Sequence, residues 1–193
     1  MNVRRLVLPT TAVLIAPAIA FAHPGHSADS AIAAGVLHPL TGWDHLAALL
    51  AVGAWSARQR GRLRVALPAA FLIAMALGSE LALTIPVSST LVEQGIAASL
   101  LLIGLLMAAR WRLPATATVM LATAFALFHG AAHGLEGPAD AQAFIFRTGF
   151  LATSASLIGT GFAVTATLAE RLRTATLRAS GILLAGGGVL LLS

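Results

Sequence analysis

Hydrophobic residues run along this chain in long blocks separated by short polar stretches. Six such blocks lie at about 30–56, 64–86, 91–109, 114–135, 141–168 and 177–192. Each is close to the ~20 apolar residues that carry a helix across a bilayer. None shows the strict alternation of a half-buried strand. The expected fold class is therefore all-α: a polytopic membrane helix bundle with six transmembrane helices. A shorter apolar block precedes them. The first 22 residues read MNVRRLVLPTTAVLIAPAIAFA, with Arg4 and Arg5 ahead of an apolar stretch that ends in Ala20-Phe21-Ala22. A basic start, an apolar middle and a small-x-small end are the features of a cleaved signal peptide. Residues 1–22 are read as that signal and 23–193 as one six-helix domain beginning at His23.

The connections between blocks alternate in charge. Arg58, Arg60, Arg62 and Arg64 fill the first, Arg110 and Arg112 mark the third, and Arg171, Arg173 and Arg178 mark the fifth. The second, around Pro86 to Ser89, is uncharged, and the fourth, Glu136 to Asp140, is acidic. Arginine-rich connections stay on the cytoplasmic side. This is expected to put the arginine-rich connections in the cytoplasm and both mature termini outside, the side to which a signal peptide would also send His23. Trp55 and Trp111 fall where an inner interfacial belt is expected. Small residues such as Gly130 and Gly134 let membrane helices approach closely.

Composition narrows the chemistry. The chain has 193 residues, 58% hydrophobic and only 10% charged, which removes the ordinary soluble domain from consideration. It has no cysteine, so disulfides, thiolate metal sites and cysteine nucleophiles are excluded. Four scattered methionines do not make a thioether copper(I) path. The formal net charge of +5 comes from loop arginines, so no nucleic-acid partner is expected. The partners expected are the lipid bilayer and a divalent metal ion, with homo-oligomerisation left open.

The metal follows from the ionisable residues inside the apolar blocks. Such residues cost a few kcal/mol each at mid-membrane and mark a path or a site. They are His38, Asp44 and His45 in the first block, Glu80 in the second, Glu93 in the third, His129 and His133 in the fourth with Glu136 at its end, and Arg147 in the fifth. All fall in the outer half or near the midplane, as the lining of a vestibule open to the outside that ends at Asp44 and His45. On an ideal helix His38 and His45 share a stripe, about 10 Å apart. Pro39 is expected to disturb that helix around Gly35, with Gly42 adding flexibility. His129 and His133, at i and i+4, project from one face and can bind one metal, with Glu136 on the same side. Gly130 and Gly134 lie on the adjacent stripe, where another helix can press close. His23 and His26 would form a capture site at the new amino terminus. Glu80 and Arg147 are a candidate ion pair, and Glu93 is either a site carboxylate or another partner for Arg147. The expected metal set is thus His38, Asp44, His45, His129, His133, Glu93 and Glu136, with His23 and His26. Imidazole and carboxylate without sulfur suit nickel, cobalt or zinc.

Three stretches carry a resemblance. HPLTGWDHLAALLAVGAW, SSTLVEQGIAASLLLIGLL and FHGAAHGLEG, after a signal peptide ending in AHPGH, resemble the HupE/UreJ family over essentially the whole mature chain. The resemblance implies secondary uptake of nickel, or cobalt, across the inner membrane to supply a hydrogenase or urease, with no enzymatic activity and no tightly bound cofactor. Its first motif falls on His38, Pro39, Gly42, Asp44 and His45, its later one on His129, His133 and Glu136, and its VEQ carboxylate on Glu93. Ser89 departs from the polar amide expected before VEQ. The ion is expected to meet His23, His26 and the acidic outer loop, then His129, His133 and His38, and last the constriction at Asp44 and His45. Two rivals stand beside this reading. One is a b-type haem electron carrier using His38 and His129. The other is a metal-binding accessory protein that transports nothing. An intramembrane metallo-hydrolase is disfavoured because HExxH is absent, and no nucleotide-binding motif is present, so drive would come from membrane potential, protons or trapping inside.

Overall fold

A computed structural model of the chain describes residues 28–140 and 142–193. The signal peptide, His23 and His26 lie outside the described residues. Among those residues the fold is entirely helical. The helices are α1 (Ala28–Thr41), α2 (Trp43–Ala57), α3 (Leu63–Thr84), α4 (Ser89–Ala108), α5 (Ala115–Glu136), α6 (Ala143–Thr167) and α7 (Glu170–Leu192). Helices α3 to α7 are each long and apolar enough to cross a membrane.

The first apolar block is two helices, not one. The break falls at Gly42, which takes extended backbone angles (φ −92°, ψ 115°). It does not fall around Gly35, where Pro39 was expected to act; Gly35 remains helical. The Gly42 carbonyl accepts the first α2 bond from the Leu46 amide at 3.0 Å, while the Thr41 hydroxyl donates back to the His38 carbonyl at 2.8 Å. A Cβ at Gly42 would sit 2.8 Å from Asp44 Oδ1 and 3.3 Å from His45 Nδ1. The Asp-His pair folds back over this position, so a side chain here would push against it. The other difference is at α7, which begins at Glu170 and carries Arg171, Arg173 and Arg178 on its first turns. These arginines were expected in a connection. Arginine is a good helix former, and a helix needs no apolar sequence once it has left the lipid.

Three tight pairings build the bundle: α3 on α5, α4 on α7, and both α1 and α2 on α6. Glycine makes the α3–α5 approach possible. A Cβ at Gly130 would lie 2.0 Å from the Met75 carbonyl oxygen, so the two backbones touch directly. Helices α1 and α2 run one after the other along α6, Gly35 against Phe146 and Gly53 against Ile158. The Thr153 hydroxyl of α6 donates to the Val36 carbonyl at 3.0 Å, tying α6 to the turn that precedes Pro39. The core between the pairs is filled by Leu49, Val52, Leu67, Phe71, Met75, Leu100 and Phe150. Trp55 is buried there too, so it is a core residue and not part of an interfacial belt.

The arginines gather at one end. Arg110 reaches Glu170 at 3.9 Å, and Arg173 pairs with the same carboxylate. Burial, with Arg110, Arg112 and Arg173 nearby, pulls the Arg58 guanidinium below its usual range. Arg64 lies over the Phe162 ring, 5.0 Å from its centroid. The histidines, the α3–α4 connection and the α5–α6 connection lie toward the other end. There Arg147 Nε donates to Glu80 Oε1 at 3.1 Å, the ion pair expected from sequence.

Candidate metal-binding site

Two depressions differ in what they offer a cation. The larger, about 600 Å³, lies between α2, α6 and α7 and is lined by groups such as Trp43, Leu50 and Leu184, with no ionisable residue among its lining. Such a surface cannot replace the water of a divalent ion. The smaller, about 400 Å³, is lined by Asp44, His45, Ser89, Glu93, Ile96 and Glu136 among others. Three carboxylates and an imidazole converge on it from α2, α4 and α5. It gathers Asp44, His45, Glu93 and Glu136, four of the residues that the sequence assigned to a vestibule.

Four imidazoles from α1, α2 and α5 stand behind and beside it. The His38 and His133 ring centroids are 4.8 Å apart, His45 and His133 4.9 Å, and His45 and His129 5.1 Å. They form two tiers. His38 and His133 make the upper one with Glu136, and His45 and His129 the one nearer the arginine end. The break at Gly42 lets His38 and His45 come from different helices onto α5, His38 against His133 and His45 against both His133 and His129. The i, i+4 spacing of His129 and His133 follows from α5 itself. Asp44 and His45 line the depression, whereas His129 and His133 are each only 1% exposed. His45 and His129, nearer the arginine end, make the deeper tier.

Hydrogen bonds assign the nitrogens. Asp44 Oδ1 accepts from the His45 backbone amide at 2.9 Å and lies 3.1 Å from His45 Nδ1. An ionised carboxylate only accepts, so Nδ1 carries a proton, and in the neutral ring Nε2 is the nitrogen with the lone pair. His45 Nε2 is buried without a hydrogen-bond partner. His38 Nε2 likewise lies 3.0 Å from Glu136 Oε2. A carboxylate holding the far nitrogen of an imidazole is the arrangement that orients histidine ligands at metal sites. Asp44 and Glu136 hold histidines and also line the vestibule.

His129 and His133 differ in how far they are used to tie helices together: His129 Nε2 meets Ser99 of α4 at 2.9 Å. His129 Nδ1 and both ring nitrogens of His133 are buried and unpartnered. Each such group costs about 1–3 kcal/mol relative to a satisfied one. A histidine kept to tie helices together would use its nitrogens for that. His133 instead stacks on Phe150, centroids 4.3 Å apart, and leaves both free. Among the described residues, however, no three histidine or carboxylate side chains are arranged to hold one metal ion together. The groups form a ladder of neighbouring donors, not a closed cage.

The chain's expected site residues thus divide clearly. His38, Asp44, His45, Glu93, His129, His133 and Glu136 are brought into one contiguous region. Glu80 and Arg147 pair with each other. Sequence reasoning missed Ser99 on α4, whose hydroxyl lies 2.9 Å from His129 Nε2, and the aromatic wall of Phe71, Phe146 and Phe150 around the imidazoles. A lone serine or phenylalanine in an apolar block carries no signal without the partner helix.

The chain was compared with known proteins. A curated relative, Protein HupE of Rhizobium leguminosarum bv. viciae, is 37% identical over 159 residues, covering 81% of this chain and 82% of that protein. No solved structure matches. The family described as HupE / UreJ protein matches residues 11–191, which includes every histidine, carboxylate and glycine of the site. The chain belongs to the HupE/UreJ family.

Proposed function

We propose that this chain is a secondary transporter that takes up nickel, or cobalt, across the bacterial inner membrane to supply a metalloenzyme such as hydrogenase or urease. In this reading α1 and α2 together make one broken crossing and α3 to α7 make five. The arginine end is cytoplasmic and the vestibule opens outside, after removal of a signal peptide. The observation that carries it is the run of buried, unpartnered imidazole nitrogens behind a carboxylate-lined vestibule.

Each part has a task. Glu93 and Glu136 concentrate cations at the mouth. Imidazoles replace water one or two at a time, favouring nickel or cobalt over magnesium, which prefers oxygen and keeps its hydration shell. His38 and His133 receive the ion first, then His45 and His129. Asp44 offsets its charge at the deep tier and holds His45 with Nε2 available. A ladder suits transit, because an ion that must leave needs several moderate sites and not one tight one. His23 and His26 would add a capture point ahead of the mouth.

The haem alternative is less well supported. His38 meets His133, and His45 meets His129, edge to face at about 5 Å. Bis-histidine ligation needs a flat slot the width of a macrocycle between two rings. A non-transporting accessory role uses the same ligands and is separated by flux alone. The test is uptake of radiolabelled nickel by cells lacking other nickel importers, comparing wild type with Asp44→Asn at matched membrane levels. Uptake that drops about 10–100-fold in the variant is expected, the usual effect of losing an orienting partner. Equal uptake in both would remove Asp44 from the path.

A further inference from the structure

Ser99 sits in the middle of α4 and is fully buried. Its oxygen lies 2.6 Å from the Ile96 carbonyl and 2.9 Å from His129 Nε2. A hydroxyl has one proton to give and two lone pairs to receive. The Ile96 carbonyl can only accept and is the closer of the two, so the geometry favours the Ser99 proton going to it. What remains on Ser99 is an acceptor, and the neighbour it faces is His129 Nε2. That nitrogen must then carry the ring proton. A neutral imidazole has only one N–H, so Nδ1 is left as a lone pair, and it is the buried nitrogen of His129 without a partner. The opposite arrangement would strand an N–H in the core and turn Ser99 away from the Ile96 carbonyl.

We propose that Ser99 is a positioning residue that locks His129 in the Nε2–H tautomer, so that Nδ1 is the nitrogen offered to the transported ion. The inference deepens the proposed transport function and rests on it for its consequence, but the tautomer itself does not. It also explains a contrast within the deep tier. His45 is held by Asp44 at Nδ1 and offers Nε2, while His129 is held by Ser99 at Nε2 and offers Nδ1. One holder is charged and the other neutral, so the tier gains two oriented donors for a single half-buried negative charge.

The experiment uses the full chain in detergent, labelled with ¹⁵N-histidine. Long-range ¹⁵N–¹H spectra report which ring nitrogen of His129 carries the proton, with the resonance assigned from a His129→Asn sample. Wild type is expected to show Nε2–H. Ser99→Ala removes the acceptor and is expected to give a mixed or reversed tautomer, while Ser99→Thr keeps the hydroxyl and the wild-type pattern. Nickel uptake should follow, with the maximal rate down about 10-fold in Ser99→Ala and recovered in Ser99→Thr. An Nδ1–H signal in wild type overturns the proposal, and needs no variant to fold. An unchanged tautomer in Ser99→Ala overturns it too. A fixed Nε2–H tautomer in a wild-type protein that moves no nickel would leave the positioning role standing and remove the transport reading.

Discussion

Replacing Gly130 with alanine tests the α3–α5 contact on which two of the four histidines depend. The new methyl would stand 2.0 Å from the Met75 carbonyl oxygen and 2.9 Å from its Cα, all of it backbone that cannot rotate away. Restoring ordinary contact requires the helices to separate by about 1.4 Å at this point. Overpacking of this kind costs about 1–3 kcal/mol. Alanine also gains about 1 kcal/mol of helix propensity over glycine, which must be cancelled to see the contact. Gly159→Ala on α6 provides the control, because a Cβ there meets nothing within 4 Å. Both variants receive the propensity gain, so the difference between them is the overpacking term. In a chain of this size each kcal/mol moves the melting temperature by about 2–4 °C. Thermal melts of the purified proteins in one detergent are expected to place Gly130→Ala clearly below Gly159→Ala. Nickel uptake should separate them more. His129 and His133 flank Gly130, and a ~1 Å displacement of reacting groups can cost on the order of 100-fold. Equal melting and equal uptake of the two variants would refute the contact and the dependence of the site upon it.

Other expectations are more local. Glu93→Gln and Glu136→Gln should raise the nickel concentration for half-maximal uptake, and the rise should shrink as ionic strength is increased. Thr153→Val removes the bond to the Val36 carbonyl and should lower stability by about 0.6 kcal/mol, the average for such bonds between membrane helices, as read from melting. Glu80→Gln should leave uptake nearly intact, with a stability loss below about 1 kcal/mol, because Glu80 is mostly exposed although Arg147 is not.

Helices α3 to α6 were legible because each is a continuous apolar block, and the candidate site residues stood out because ionisable residues in such blocks need a reason to be there. What the sequence hid depended on neighbours. The Gly42 break lies inside what reads as one long, mainly apolar block, and the return of Asp44 and His45 over that glycine is visible only in the structure. Pro39 drew attention to the wrong turn because it is the stronger breaker in isolation. Arg171 to Arg178 looked like a connection since charge marks the end of the lipid, not the end of a helix. Ser99 needed α5 beside it before its hydroxyl meant anything. The seven residues brought together from α1, α2, α4 and α5 were all named from sequence, but their arrangement in two tiers was not, because it depends on how α5 lies against α1 and α2.

The most direct measurement is nickel flux in proteoliposomes that contain only the purified chain, with the vestibule facing the added metal and a membrane potential negative inside. The expected result is time-dependent accumulation of nickel above that of empty liposomes, saturable, and lost in His45→Ala. A folded wild-type protein that binds nickel without accumulating it inside would contradict transport and leave these histidines as a binding site alone.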